Sequence, residues 1–344
     1  MQKLLSVAIP CFNSQDYLSR AIESLLPGGE KIEIIVVDDG STDDTSKIAE
    51  EYIKKYPDTV HLIRKENGGH GDAVMTGLNY ASGLFFRVLD SDDWLDKDSL
   101  LKLLNVLEEM TDPDKRADLV ITNYVYDKFN EGKSHSVNYR KTLPEGKLFG
   151  WDEVGRWAIG SYILMHSATY RTELARNCGM KLPKHTYYVD HLFVCYPMTC
   201  VEKMYYIDTD LYHYYIGRDN QSVNEKVMLS RMDQQLKVNR LLLYELDVDP
   251  ITEKAKREYL YYYIEIVTQA TVSFLLRSGT KENEQVMQAF LDEIEEKRPV
   301  YYDWIMQKPF NRHTIGPVRR LPHWFAYPLY RLSYLIARRI FGFN

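Results

Sequence analysis

Residues 4–90 alternate between short apolar runs and amphipathic segments, and this alternation restricts the fold more than any other feature of the chain. Residues 32–37 are nearly all β-branched and apolar, which is typical of a strand buried on both faces of a parallel sheet. The other strand-like runs and the segments with helical spacing lie at 4–10, 14–26, 44–56, 60–64, 72–82 and 85–90. The order β-α-β-α-β-α-β predicts an α/β fold with a mixed, mainly parallel sheet and helices on both faces.

The rest of the chain predicts further elements and a division into regions. A helix at 97–110 and a strand at 117–126 extend the fold, whereas 151–216 allows either helix or strand. Long helical periodicity follows at 226–246, 252–277 and 281–297, which is also a possible dimer surface. Because 344 residues exceed one typical domain, the predicted regions are an α/β domain, a helical region and a tail, at 1–224, 225–298 and 299–344.

Cysteine usage and hydropathy indicate a cytoplasmic protein. The four cysteines show no C-x-x-C spacing, which favours free, reduced thiols over a disulfide or a metal role. The apolar run at the N-terminus is too short for a signal peptide. No stretch approaches the roughly 18 apolar residues that a membrane-spanning helix needs.

Two acidic clusters follow predicted strands. Asp38 and Asp39 come after the second strand, and the fourth strand is followed by Asp90, Asp92 and Asp93. Because the carboxyl ends of parallel strands meet at one edge of a sheet, both clusters are expected at the ligand-binding edge. Crowded carboxylates persist most easily beside a cation, and oxygen ligands favour Mg²⁺ or Mn²⁺, which commonly bridge carboxylates to phosphates. The second cluster predicts a metal–diphosphate site; the alternative is a solvated acidic turn.

Charge is distributed unevenly along the chain. Residues 304–344 carry seven Lys and Arg and no acidic residue, so the formal net charge of −6 divides into +7 for this tail and −13 for the remainder. The acidic body argues against nucleic-acid binding. From Pro328 onward, apolar residues recur at helical spacing among cations and aromatic side chains, which predicts contact with an anionic membrane surface. Alternatively, the tail packs on the acidic body.

Four motifs in register resemble the signature of a known family. In chain order they are Val-Ala-Ile-Pro-Cys-Phe-Asn (7–13), Ile-Val-Val-Asp-Asp-Gly-Ser-Thr-Asp (35–43), Glu-Asn-Gly-Gly (66–69) and Leu-Asp-Ser-Asp-Asp-Trp (89–94). Together they resemble the ordered motifs of the family 2 glycosyltransferases, densely over about residues 5–95 and more weakly to about 220. The resemblance implies the GT-A fold, whose sheet binds a nucleotide-diphosphate sugar.

The resemblance also implies an activity. The protein is expected to transfer a hexosyl or N-acetylhexosaminyl group, with inversion, from a nucleotide-diphosphate sugar, most often UDP-linked. The implied acceptor is a saccharide or a polyprenyl-linked glycan of the bacterial cell envelope, at the inner face of the membrane. Two other interpretations stay open. One is a nucleotidyltransferase, although no basic phosphate-binding loop follows the first strand. The other is a catalytically inert subunit that binds sugar nucleotides or glycans.

The same resemblance assigns roles in donor and metal binding. Asp39 would accept the imide N–H of uracil, with Pro10 and Phe12 bordering that pocket. Asp92 would ligate Mn²⁺ or Mg²⁺, which acts as a Lewis acid on the departing diphosphate. Asp90 would contact the ribose or a water on the metal, and it is grouped with Asp92 in the predicted metal site. As an alternative, Asp39 caps the helix that follows it.

The glycine-rich loop before the third helix is expected to approach a phosphate or a sugar closely, with Asn67, Gly69 and His70 as contacts. Many family members have Ala-Arg-Asn where this chain has Ala-Val-Met at 73–75, so no arginine is available there. His70 is the candidate replacement as a hydrogen-bond donor. Alternatively, it is an ordinary loop histidine.

Residues from the second half complete the expected site. An inverting transfer needs a base that deprotonates the acceptor hydroxyl, and Asp190 matches the family's position, although Val189 replaces its usual Glu. His191 is the alternative base, and Asp190 as a helix N-cap is the structural alternative. Arg218 would clamp the diphosphate when its loop closes, and His213 would add a metal or phosphate contact.

Overall fold

A computed structural model describes residues 2–128, 132–158, 160–217 and 225–308 of the protein. The chain divides into two compact units. One comprises residues 1–222 and 247–257, and the other comprises residues 223–246 and 258–344.

The alternation of strands and helices expected in residues 4–90 is present in the first unit. Its elements are β1 (Leu5–Cys11), α1 (Leu18–Leu25), β2 (Ile32–Asp38), α2 (Thr45–Lys55), β3 (Val60–Arg64), α3 (His70–Tyr80) and β4 (Phe85–Val88). The predicted order β-α-β-α-β-α-β is therefore confirmed.

The second half of this unit adds shorter strands and further helices. They are β5 (Trp94–Leu95), α4 (Lys97–Glu109), β6 (Leu119–Lys128), β7 (Lys133–Val137), β8 (Leu148–Phe149), β9 (Ala168–Arg171), α5 (Thr172–Asn177), α6 (Asp190–Met198) and β10 (Met204–Ile216). The helix and the strand expected at 97–110 and 117–126 correspond to α4 and β6.

In the described part of the chain, these strands form one sheet of ten, ordered β3-β2-β1-β4-β9-β6-β10-β5, with β7 paired to β6 and β8 to β10. Strands β1 to β4 are parallel, and so are β6 and β10. β9 is antiparallel to both β4 and β6. Because β9 reverses direction relative to both neighbours, β6 and β10 run the same way as β1 to β4. The carboxyl ends of all six strands therefore point toward one edge, as in other open α/β sheets that bind ligands there.

The core of the sheet lies at β1 and β2. All seven residues of each strand are buried, and the strands pair residue for residue, with Ile9 opposite Val36. This burial on both faces explains why β2 is almost continuously β-branched and apolar.

Helices α1 and α3 begin at residues that differ from those predicted by the spacing of apolar residues. α1 starts at Leu18 because the carbonyl of Ser14 accepts the N–H groups of Tyr17 and Leu18 at 3.0 Å in a preceding turn. α3 starts at His70, two residues earlier than expected, because Gly69 adopts φ +85° and ends the loop there. His70 is therefore the first helical residue and not a residue of the loop.

The C-terminal region is helical, as predicted. Its helices are α7 (Glu225–Ser230), α8 (Met232–Tyr244), α9 (Lys254–Arg277), α10 (Lys281–Lys297) and α11 (Pro299–Met306). In α11, Tyr301, Tyr302 and Ile305 are buried, so the start of the expected tail is part of a packed helix. Residues 309–344 of the tail lie outside the described residues. Within the residues that the structure describes, no helix combines the length and apolar character needed to cross a membrane.

Candidate active site

Asp39 follows the carboxyl end of β2 and is almost fully buried. Its Oδ1 accepts the N–H of Gly68 at 2.9 Å, and its Oδ2 accepts the N–H of Gly69 at 2.7 Å. Lys65, directly after β3, donates from Nζ to Oδ1 at 2.6 Å. The N-cap position of α2 belongs to Asp44. Asp39 therefore holds the glycine loop and does not cap the helix.

The glycine loop is held closely on its other side as well. The N–H of His185 donates to the carbonyl of Gly68 at 2.7 Å, and Asn67 Nδ2 donates to the backbone carbonyl of Asp39 at 2.9 Å. A Cβ at Gly69 would lie 2.9 Å from the backbone nitrogen of His185, and its φ of +85° already disfavours other residues. Glycine is therefore required at this position by both space and backbone conformation.

Asp90 lies just beyond β4 and faces two histidines. His70 Nε2 is 2.9 Å from Asp90 Oδ1, and His166 Nε2 is 3.9 Å from Asp90 Oδ2. Burial lowers the pKa of His70, but the hydrogen bond to Asp90 and the nearby negative charges outweigh it, so this pKa is raised. The pKa of His166 is lowered, chiefly by burial. Of the two imidazoles beside Asp90, that of His70 favours its protonated, charged form, whereas that of His166 favours its neutral form.

Among the described residues, Asp90, Asp93 and His166 form the group whose side-chain ligand atoms could share a metal ion, since these atoms all lie within 4.8 Å of one another. His166 Nδ1 is buried, and no described residue gives it a hydrogen bond. Carboxylate oxygens and a neutral imidazole nitrogen suit a divalent cation, so these residues fit one. Asp92 lies in the same turn, where its backbone carbonyl accepts a hydrogen bond from Arg20. Its role as a ligand stays a prediction.

Asp93 is fully buried and is held by β10. Tyr212 donates its hydroxyl to Asp93 Oδ2 at 2.6 Å, and the N–H of Tyr215 donates to Oδ1 at 2.9 Å. The same Tyr212 hydroxyl accepts the N–H of Asp90 at 3.2 Å. Burial, followed by the charge of Asp90, raises the pKa of Asp93 well above its usual range. These two hydrogen bonds of the Tyr212 hydroxyl therefore connect the acidic turn to β10 and fix the positions of Asp90 and Asp93 relative to each other.

Arg87 is completely buried in β4, close to His166. Its Nη1 donates to Thr169 Oγ1 at 2.8 Å, and its Nη2 donates to the backbone carbonyl of His166. Burial lowers the pKa of Arg87 to about 10. Its positive charge also contributes to the lowered pKa of His166. Arg87 thus holds the segment that carries His166 against β4.

Asp190 is the first residue of α6, and its side chain is 32% exposed. Its negative charge acts on the pKa values of both His70 and His166, as does that of Asp90. The N-cap of α6 is the preceding residue, Val189, so Asp190 is the first residue inside the helix. The alternative base, His191, has its Nδ1 4.0 Å from Asp190 Oδ2. Asp190 is therefore not the N-cap of α6.

Three other predicted site residues lie near Asp39 or the acidic turn. Pro10 and Phe12 flank Cys11, whose carbonyl accepts the N–H of Asp39 at 2.8 Å. His213 lies opposite Trp94, the residue after Asp93. Pro10 is buried in β1, and Phe12, just beyond that strand, is 54% exposed. His213 Nδ1 lies 2.6 Å from Asp127 Oδ2, which orients the ring. Arg218 lies outside the described residues.

Sequence reasoning missed three residues of this arrangement: Lys65, His166 and Tyr212. Lys65 directly follows β3 at the same edge of the sheet as Asp39, so its position was a usable signal. The other two lie far along the chain from the acidic turn, within the segment 151–216 whose pattern allowed either helix or strand. No local motif marks His166, whereas Tyr212 begins a tyrosine-rich stretch at 212–215.

Comparisons with known proteins bear on this arrangement. The chain matches the model of the family described as Glycosyl transferase family 2 over residues 6–167. It is 30% identical over 271 residues to the putative glycosyltransferase EpsH of Bacillus subtilis (strain 168), an alignment that covers 74% of this chain and 71% of EpsH. The chain belongs to family 2 of the glycosyltransferases.

Two further similarities concern envelope proteins and the fold. The chain is 38% identical over 107 residues to the minor teichoic acid biosynthesis protein GgaB of Bacillus subtilis (strain 168), which is 30% of this chain and 12% of GgaB. Residues 1–349 of S. aureus TarS, in complex with UDP-GlcNAc, have a similar fold with a TM-score of 0.68 at 19% identity. That similarity covers 98% of this chain and 92% of the TarS chain, and it agrees with the predicted GT-A fold with C-terminal helices.

Proposed function

We propose that the protein transfers a sugar with inversion from a UDP-sugar to a saccharide or lipid-linked glycan acceptor of the bacterial cell envelope. A divalent cation and Asp190 as general base would support the reaction. The observation that carries this proposal is the group of Asp90, Asp93 and His166, whose ligand atoms all lie within 4.8 Å of one another just beyond β4. Asp190, the first residue of α6, has a partly exposed side chain.

The proposed chemistry assigns a separate task to each carboxylate. The acceptor hydroxyl attacks the anomeric carbon from the face opposite the nucleotide, and the bond from this carbon to the diphosphate oxygen breaks. Asp190 takes the hydroxyl proton, and its partial exposure leaves it accessible to an acceptor. Held by Asp90 and Asp92, with Asp93 and His166 nearby, a cation would stabilise the charge on the departing diphosphate.

The relatives support the classes of donor and acceptor. TarS was solved with UDP-GlcNAc, which supports a UDP-linked donor and an N-acetylhexosaminyl group for this chain. The name of GgaB supports an envelope polymer as the acceptor. Because the chain covers only 12% of GgaB, that name supports the class of the acceptor and not its identity.

A donor screen tests the proposed function. Thermal melts with UDP-GlcNAc, UDP-glucose, UDP-galactose and GDP-mannose, each with and without Mn²⁺, will show the largest stabilisation for a UDP-sugar with Mn²⁺, because a ligand stabilises the state to which it binds. The same donor should release UDP slowly without an acceptor and faster with one. Stabilisation without any release of UDP would instead indicate a binding subunit. Stabilisation by GDP-mannose alone would contradict the UDP assignment.

We also propose that the protein acts at the cytoplasmic face of the membrane and binds it through the basic, aromatic tail. The composition of the tail supports this location, because residues 304–344 combine seven Lys and Arg with aromatic side chains and carry no acidic residue. A homodimer formed through the helical region stays a prediction.

Removing residues 309–344 will abolish flotation with anionic liposomes and leave the melting temperature unchanged. The cut falls after Lys308 because α11 buries Tyr301, Tyr302 and Ile305, which must be kept. Each Lys or Arg near an anionic surface contributes about 1 kcal/mol, so binding of the full chain should weaken with salt. Neutral liposomes provide the control. A lower melting temperature with unchanged flotation would favour a tail packed on the body.

A further inference from the structure

We propose that Lys65 sets the base specificity of the donor site through Asp39. Lys65 holds the carboxylate of Asp39 so that one hydrogen-bond acceptor position remains for a nucleobase. A single acceptor position suits a base that presents a single N–H donor to it, such as uracil. This inference rests on the proposed use of a nucleotide sugar at this edge of the sheet.

The hydrogen bonds of Asp39 define how many donors it can still accept. An ionised carboxylate offers about four lone-pair positions, two on each oxygen. Oδ1 accepts from the N–H of Gly68 at 2.9 Å and from Lys65 Nζ at 2.6 Å, so both of its positions are used. Oδ2 accepts from the N–H of Gly69 at 2.7 Å. Among the contacts of the described residues, one position on Oδ2 therefore remains for a ligand.

A single acceptor position distinguishes the common bases. Uracil presents one imide N–H between two carbonyl groups, and Oδ2 of Asp39 can satisfy it. Guanine presents two adjacent donors, of which one would be left without a partner. Cytosine presents a ring-nitrogen lone pair at the same place, which the carboxylate repels. An unpaired buried donor or two facing acceptors cost binding free energy, so the site should favour uracil over both.

Lys65 is directed at the protein and not at a ligand. Its Nζ donates to Asp39 Oδ1 and to the carbonyl of Glu66, both at 2.6 Å, and lies 2.6 Å from Asp72 Oδ2. The side chain is only 18% exposed. Burial lowers the pKa of Lys65, but the hydrogen bonds to the two carboxylates outweigh it, so this pKa is raised and the cation is favoured. Because Nζ lies 2.6 Å from each of these three protein oxygens, Lys65 acts as a positioning residue through Asp39.

The test compares nucleotide affinities of the full-length protein by calorimetry, with UDP, CDP and GDP at one Mn²⁺ concentration. The wild-type protein should bind UDP at least about 10-fold more tightly than CDP or GDP, as expected for a hydrogen bond to a charged group. Lys65→Met should weaken UDP binding about 10-fold, change CDP binding less than about 3-fold and not weaken GDP binding, because the position freed on Oδ1 can accept the second donor of guanine. If Lys65→Met does not fold, Lys65→Gln is the second neutral variant, and the same loss of UDP preference is expected.

A double-mutant cycle separates positioning from a general structural role. If Lys65 acts through Asp39, Lys65→Met and Asp39→Asn together should reduce the UDP preference no further than Asp39→Asn alone. Lys47→Met, which removes an exposed lysine that pairs with Asp44, is the matched control and should change nothing.

The outcomes that overturn the inference are distinct. An equal loss of affinity for all three nucleotides in Lys65→Met, or additive effects in the cycle, would show a structural role only. A UDP preference that persists in Lys65→Met would reject the role of Lys65 and leave the proposed donor intact. A wild-type protein that prefers GDP or CDP would reject both the single-donor site and the proposed UDP-sugar.

Discussion

Replacing Asp190 with Asn will lower glycosyl transfer by a factor of about 10²–10⁴ and leave the affinity for UDP unchanged. The amide has nearly the same shape, but it cannot take the proton of the acceptor hydroxyl. Helix α6 should form normally, since its N-cap is Val189 and not Asp190. Turnover with the preferred donor and acceptor, together with calorimetry of UDP binding, measures the two effects separately.

Asp98→Asn is the matched control for this variant. Asp98 is also an acidic residue in the first turn of a helix, α4, and it is exposed. Its substitution should therefore leave transfer unchanged. If UDP binding and turnover both fell in Asp190→Asn, Asp190 would be a structural residue. If turnover survived there and fell in His191→Gln, the base would be His191.

The first half of the fold could be predicted because its signals are local. The apolar run of β2 and the helical spacings around it are read within short windows, and the parallel order follows from their alternation. The edge that carries Asp39 and Asp90 follows in turn, since both residues come directly after predicted strands. The predicted start of α3 was off by two residues, because the backbone conformation of Gly69, not the apolar spacing, decides where that helix begins.

The second half of the site could not be predicted in the same way. His166 reaches Asp90 because β9 inserts antiparallel between β4 and β6, and this pairing joins distant segments. Tyr212 reaches the acidic turn from β10, across an even longer separation in sequence. A pattern of apolar residues predicts a strand but does not show which strand lies beside it. The fully buried Arg87 is a further example, because its partner Thr169 belongs to β9.

Asp90→Asn will weaken Mn²⁺ binding in the presence of UDP by more than about 100-fold, beyond the 10–100-fold losses typical of residues outside the ligand shell. Asp90 belongs to both candidate sets of metal ligands: the pair with Asp92 that the sequence predicts, and the group with Asp93 and His166. The substitution would therefore remove a carboxylate charge from either set. Electron paramagnetic resonance of free Mn²⁺ measures this affinity without relying on turnover.

Two further variants identify the partners of Asp90, and one variant serves as a control. A loss in His166→Gln that is larger than in Asp92→Asn would place the cation beside the imidazole, whereas the reverse would place it on the two carboxylates of the Asp-Ser-Asp motif. Asp96→Asn is the control, because Asp96 caps α4 by accepting the N–H of Ser99 at 2.9 Å, and Asn caps helices equally well. Mn²⁺ binding that is unchanged in Asp90→Asn would reject a metal site at this turn, because neither set of ligands is complete without that carboxylate.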